Sequence, residues 1–222
     1  MLMSQPSGSP ESFDETPGLD ARCQVIPLTE PGLGRSAPEH GAGLVVWFTG
    51  MSGSGKTTLS TLLSGHLRNL CGDVRHYDGD IFRARKNNTD FSRQGRIQNI
   101  DTAREFVHAS LAKDCVSVVS FITPYECMRT RNRECFGRYL EIYCKCDLDV
   151  LIARDAKGLY AKALAGDLPA FTGISDSFEE PVRPDIVVHT GMDDIALCLE
   201  TILRHPAIEA FSDPDARAAA AL

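Results

Sequence analysis

The apolar run Leu44-Val45-Val46-Trp47-Phe48 leads into Gly50-Met51-Ser52-Gly53-Ser54-Gly55-Lys56-Thr57-Thr58, and a helical pattern follows. The spacing fits G-x-x-x-x-G-K-[ST], with Gly50, Gly55, Lys56 and Thr57 at the fixed positions. A segment of this kind leaves the chain little freedom. A strand must end, glycines must let the backbone curl, and several N–H groups must turn into one concavity. The helix that starts there brings its positive dipole end to the same place. Gly50, Ser52, Gly53, Ser54, Gly55, Lys56, Thr57 and Thr58 are therefore candidates for holding the phosphates of a nucleoside triphosphate. Lys56 has the length to reach the outer phosphates, and the Thr57 hydroxyl is the candidate ligand for Mg²⁺.

The rest of the chain alternates strand and helix patterns. Strands are expected at Leu44–Thr49, Val74–Tyr77, Val116–Phe121, Tyr139–Cys144 and Asp185–His189. Helices are expected at Lys56–Leu70, Ile97–Lys113, Arg129–Phe136, Leu148–Arg154 and Ile195–Arg204. This alternation predicts an α/β fold of the P-loop NTPase type, a parallel sheet with helices on both faces and a lid segment. Ligands then bind at the carboxyl ends of the strands. Gly50–Thr57, Asp78–Asp80 and Phe121–Tyr125 all fall at such ends, so they should converge in space.

Composition narrows the function. The 222 residues carry a net charge of −7, which argues against a duplex-binding protein and leaves small anionic ligands open. The apolar runs fall short of a membrane span, and the N-terminus lacks signal-peptide order, so the expected location is cytoplasmic. The eight cysteines are scattered, without zinc spacing, and read as reduced thiols. Residues 1–43 are rich in Pro, Gly, Ser and acids and read as a disordered extension. Residues 44–205 form the kinase domain on this reading, and 206–222 an Ala-rich tail outside the core.

Asp78-Gly79-Asp80 follows the second strand. It reads either as a tight turn with a helix cap at Asp80 or as two carboxylates that orient a hydroxyl and assist a metal. The phosphate loop beside it favours the second. Arg83 and the Phe91–Ile100 stretch with Arg96 read in isolation as a solvated, charged helix start; near a binding site the arginines can pair anions and the aromatic can stack on a base. Phe121-Ile122-Thr123-Pro124-Tyr125 has an apolar side that can wall a nucleoside. The basic segment Arg154–Tyr160 has the character of a kinase lid.

Taken in order, these pieces resemble the adenosine 5′-phosphosulfate (adenylyl sulfate) kinases. The resemblance runs from about Val45 to Thr190, through Trp47–Gly50 and the loop, Asp78-Gly79-Asp80, Phe91-Ser92, Arg96, Asn99-Ile100, Ser120–Tyr125, Arg154-Asp155, Lys157–Tyr160, Ala165-Gly166 and Phe171–Ile174. It implies an ATP- and Mg²⁺-dependent kinase of sulfate assimilation, acting on the ribose 3′-hydroxyl of adenylyl sulfate. Lys56, Asp80 and Lys157 would then be catalytic, and Arg154 would lie near the ATP. The acceptor would be held by Asp78, Arg83, Phe91, Arg96, Asn99, Ile122, Pro124, Leu159 and Phe171. Phe91 and Phe171 would sandwich its base, while Arg83, Arg96 and Asn99 held its phosphate–sulfate portion and ribose. The family is commonly dimeric, so a homodimer is a possible assembly.

The sequence also departs from the family pattern. Ile81 replaces an asparagine, the Arg85–Asp90 stretch is one residue shorter, and Asp101-Thr102 replaces an arginine pair. Glu126 replaces an arginine and Ala156 a proline. Most of these changes sit where the acceptor is held, and a carboxylate at Asp101 would repel a doubly anionic substrate unless it pointed away. A kinase of the same fold acting on a different nucleotide or nucleoside hydroxyl is the alternative. A non-catalytic nucleotide-binding regulatory protein is a second.

Overall fold

A sheet of parallel strands, ordered β2-β3-β1-β4-β5, organises the chain. The computed structural model describes residues 43–71, 73–112 and 115–212. The sequence expectations for residues 1–42, 113 and 213–222 lie outside them. β1 (Leu44–Thr49) is central, between β3 (Val116–Ser120) and β4 (Tyr139–Lys145). β2 (Val74–Asp78) and β5 (Ile186–His189) form the two edges.

Every residue of β1 is buried, because a parallel sheet is covered on both faces. Alternate side chains serve opposite layers. Leu44, Val46 and Phe48 pack with Leu59, Leu63 and Leu67 of α1 (Lys56–Cys71) and with Ile202 of α7 (Ile195–Leu203). Val45 and Trp47 pack the other way. There they meet Phe82 of α2 (Gly79–Arg85), Ile100, Ala103 and Val107 of α3 (Arg93–Ser110), and Met128 of α4 (Glu126–Cys135). α5 (Leu148–Arg154) and α6 (Leu159–Leu164) follow β4 and enclose a smaller cluster of Cys146, Leu151 and Tyr160.

The parallel sheet and its two helical layers match the sequence expectation; several element limits do not. α3 begins at Arg93 rather than Ile97, because the Ser92 hydroxyl caps it by accepting the Gly95 N–H at 3.0 Å. Its first turn, Arg93-Gln94-Gly95-Arg96, is polar and hid the start from hydrophobic periodicity. α4 begins at Glu126 rather than Arg129; its N-cap, Tyr125, makes no side-chain cap bond, and Met128 alone in its first turn is too little apolar pattern to mark the start. α2 was not foreseen, and its N-cap is Asp78, not Asp80.

The C-terminal expectation is also corrected. Residues 206–212 are not a tail outside the core: α8 (Pro206–Ser212) buries Ile208 and Phe211 among the α1 and α7 side chains. Pro at the first position of a helix costs no hydrogen bond, and the short apolar spacing Ile208…Phe211 was obscured by the alanines beyond it.

Candidate active site

The strand ends meet at a cavity of about 390 Å³. On its phosphate-loop side lie Ser52, Gly53, Gly55, Lys56, Thr57 and Thr58. The loop curls through left-handed glycines, with φ of 74° at Gly53 and 83° at Gly55. A side chain at Gly50 would collide with the Cys144 carbonyl and the Ser54 hydroxyl, each within 2.7 Å of its Cβ position. Gly50 and Ser54 thus shape the loop from beneath and are not on the cavity surface. The Lys56 ammonium is anchored to the Met51 carbonyl at 2.7 Å, and burial pulls its pKa down to about 8.

Asp78 is the junction of the site. Its Oδ2 accepts the Thr57 hydroxyl at 2.8 Å and the Ser120 hydroxyl at 3.0 Å. Its Oδ1 accepts the N–H groups of Asp80 at 3.0 Å and Ile81 at 3.3 Å. Burial alone would raise this carboxyl; the four donors outweigh it and hold the pKa below the usual value. One step on, Asp80 points outward with 72% of its side chain exposed and forms an ion pair with Lys157. Two residues before Asp78 on β2, burial drives His76 down to about 4, so its ring is neutral. It meets the Ser60 hydroxyl at 2.9 Å, which in turn donates to the Thr57 carbonyl at 3.1 Å, supporting the loop from behind.

The opposite wall carries Arg83, Phe91, Arg96, Asn99, Ile122 and Pro124. The Arg83 guanidinium sits 4.6 Å from the centre of the Phe91 ring, which is 47% exposed. Arg83 donates to the Asn88 side-chain oxygen at 3.3 Å and to the Asp90 carbonyl at 3.0 Å. Asn99 accepts from Asn88 at 3.2 Å. The Ile122 carbonyl accepts both the Thr49 hydroxyl at 2.7 Å and the Gly50 N–H at 3.3 Å, joining this wall to the start of the phosphate loop.

Three expected site residues stand elsewhere. Arg154 does not line the cavity; it donates to the Thr190 carbonyl at 2.8 Å, and the Thr190 hydroxyl donates to the Ser54 carbonyl at 3.0 Å, so it flanks the loop from the far side. Leu159 opens α6, away from the cavity surface. Phe171 is also off that surface, packed edge-on against Tyr160 with ring centres 5.0 Å apart. A base sandwich of Phe91 and Phe171 is therefore not formed in this structure.

Sequence reasoning missed Ser120 and Thr123 as individual contributors. Ser120 lies opposite Asp78 in the sheet register, a signal visible only once β2 and β3 are paired. Thr123 lines the cavity, and its hydroxyl accepts the Trp47 indole N–H at 2.9 Å. The departures at 101 and 126 also find their partners. Asp101 pairs with Arg104 at 2.6 Å and Arg131 at 3.3 Å, outside the cavity lining, so its charge is directed away from the acceptor wall. Glu126 pairs with the buried Arg129 at 2.7 Å.

The family model for adenylylsulphate kinase matches residues 42–189. The chain belongs to this family. It is similar to the adenylyl-sulfate kinase of Chloroflexus aurantiacus, 45% identical over 168 residues that cover 75% of this chain and 90% of that one. The adenylyl-sulfate kinase of Myxococcus xanthus is 42% identical over 179 residues, covering 77% and 92%. Among solved structures, the adenylyl sulfate (APS) kinase of Mycobacterium tuberculosis in complex with AMPPNP and APS aligns with a TM-score of 0.64. It is 32% identical and covers 72% of this chain and 96% of that one. The phosphate loop, Asp78, Asp80 and Lys157 line one cavity together with Arg83, Phe91, Arg96 and Asn99.

Proposed function

We infer that the protein transfers the γ-phosphoryl group of ATP to the ribose 3′-hydroxyl of adenylyl sulfate, giving 3′-phosphoadenylyl sulfate. The observation that carries this reading is the meeting of Lys56, Asp80 and Lys157 on one cavity in a chain of the adenylyl-sulfate kinase family. The loop N–H groups and Lys56 cradle the ATP phosphates. Asp80 is the exposed carboxylate beside them, suited to orient the 3′-hydroxyl and accept its proton late in the transfer. Lys157 is paired with Asp80 in the free protein, and meets the transferred phosphate once that contact opens.

Thr57 Oγ1 and the ionised Asp78 carboxylate are hard oxygen donors side by side, which fits Mg²⁺. Held there by Thr57 and Asp78, such an ion would offset the negative charge of the phosphates during transfer. Arg83, Arg96, Asn99 and Phe91 supply the acceptor side. Family resemblance supports a homodimer, which light scattering tests.

The functional test is a panel of 5′-substituted nucleotides with ATP and Mg²⁺, read by product mass. Adenylyl sulfate should gain a phosphate with the highest kcat/KM. A value no better than that of the other nucleotides would transfer the assignment to a different acceptor and leave the phosphoryl-transfer chemistry in place.

A further inference from the structure

One side chain, Arg96 of α3, is bonded to two separate stretches of chain on the acceptor side. Its Nε donates to the Phe91 carbonyl at 2.9 Å, and an Nη2 N–H donates to the Ala170 carbonyl at 2.6 Å. The Asp176 carboxylate lies 3.4 Å from Nε, and the Arg96 side chain is only 7% exposed. The chain between Ala170 and Asp176 is closed on itself. The N–H groups of Ile174, Ser175 and Asp176 all donate to the Phe171 carbonyl, and the Gly173 N–H donates to the Asp176 carbonyl. Ala170 stands at φ 54°, a left-handed conformation that a residue with a Cβ keeps only where its surroundings fix it. Arg96 thus grips a closed turn at both ends and the Phe91 backbone at the same time. Asp176 is itself held by the Tyr125 hydroxyl at 2.5 Å.

We propose that Arg96 and Asp176 are positioning residues that fix where the Phe91-bearing segment stands against the 170–176 turn, and so govern affinity for the acceptor's base rather than for its anionic end. The proposal rests on the acceptor reading above. The distribution of charge supports it. The Arg96 cation already has a carboxylate partner, so an incoming anion gains little from it. Arg83, in contrast, donates to two uncharged oxygens and has no salt bridge among the described residues. Of the two arginines on this wall, Arg83 is therefore the one whose charge is left for an anionic group.

The two roles for Arg96 predict opposite signs. If it were chiefly an anion receptor, Asp176→Asn would free its charge and tighten adenylyl sulfate. The positioning role predicts weakening. The readouts are the KM for adenylyl sulfate and the inhibition constant of adenosine, a competitor with base and ribose but no anionic group. Both should rise in parallel by about fivefold or more in D176N, with kcat and the KM for ATP within about twofold of wild type. In an Arg96→Gln background, D176N should add nothing further, since it acts through that side chain. An unchanged or lower KM for adenylyl sulfate, or a loss confined to adenylyl sulfate and absent for adenosine, overturns the proposal. So does a rise in the KM for ATP of equal size together with a lower Tm, which marks general structural support. If D176N does not fold, Asp176→Glu, which keeps the charge on a longer arm, must give the same parallel rise. A wild-type protein inactive on adenylyl sulfate removes the functional reading and this proposal together; an active wild type with an indifferent D176N removes the proposal alone.

Discussion

Lys56 is a buried cation held by a carbonyl, and its behaviour follows from that. Burial lowers its pKa to about 8 in the free protein, so its charge is present below that pH and is lost as pH rises through it. Bound phosphates favour the charged form and shift the loss upward. The kcat/KM for ATP should therefore fall above about pH 8, while kcat holds to higher pH; a pH–rate profile at limiting and saturating ATP separates the two. Lys56→Ala should cost on the order of 10²-fold or more in kcat/KM, with unchanged circular dichroism, since the side chain faces the ligand. At Asp80 the expectation is a split. Asp80→Asn keeps the shape, removes the charge and breaks the ion pair with Lys157. It should lower kcat steeply and leave ATP affinity, measured by calorimetry, near wild type. Collapse of ATP binding with kcat intact would make Asp80 a structural residue. Most of these side chains were legible in the sequence because phosphate chemistry ties residue type to fixed spacing. Ser120 was not: one hydroxyl at the end of a buried strand acquires meaning only from the register that sets it across from Asp78.

At the level of elements, hydrophobic period revealed what faces the core and concealed what does not. β1, β3 and α1 read clearly because their apolar residues run continuously or at helical spacing. The first turns of α3 and α4 carry few apolar side chains, so their starts leave little trace in hydrophobic periodicity; α3 is marked instead by the Ser92 cap. α6 escaped for a related reason: it begins after Gly158 at φ 62°, and the Asp155 carboxylate holds its first N–H groups, those of Tyr160 and Ala161, at 2.9 and 3.0 Å. α8 is the instructive case. Two buried side chains in a seven-residue helix are too few for a periodic signal, yet Ile208 is wholly buried and Phe211 is 2% exposed. Phe211→Ala should destabilise the protein by about 3–5 kcal/mol, the usual cost of deleting a buried phenyl ring, as read by urea denaturation. Activity at saturating substrates should persist while the chain is folded, because α8 packs on the layer of α1 and α7 and its residues do not line the cavity.

Across the whole molecule, the strand order places β1 between β3 and β4, so the phosphate loop and the Phe121–Tyr125 segment leave neighbouring strands at the same end. The parallel sheet and the convergence of these strand ends were implied by the βα alternation; the strand order was not. The relation of the 170–176 turn to Arg96 was not, because a side chain bonding two distant carbonyls leaves no periodic trace. The single tryptophan of the chain occupies a favoured place in this arrangement. Trp47 is fully buried beside Phe121, with ring centres 5.6 Å apart, and its indole N–H is committed to a threonine on the cavity surface. The protein therefore carries its own optical reporter. Its emission should be blue-shifted in the free state. A ligand that moves Thr123 should change the intensity, and Thr123→Val should abolish that response by removing the acceptor oxygen while nearly preserving side-chain volume. Stopped-flow fluorescence of the unlabelled protein would then time the arrival of the second substrate separately from that of ATP.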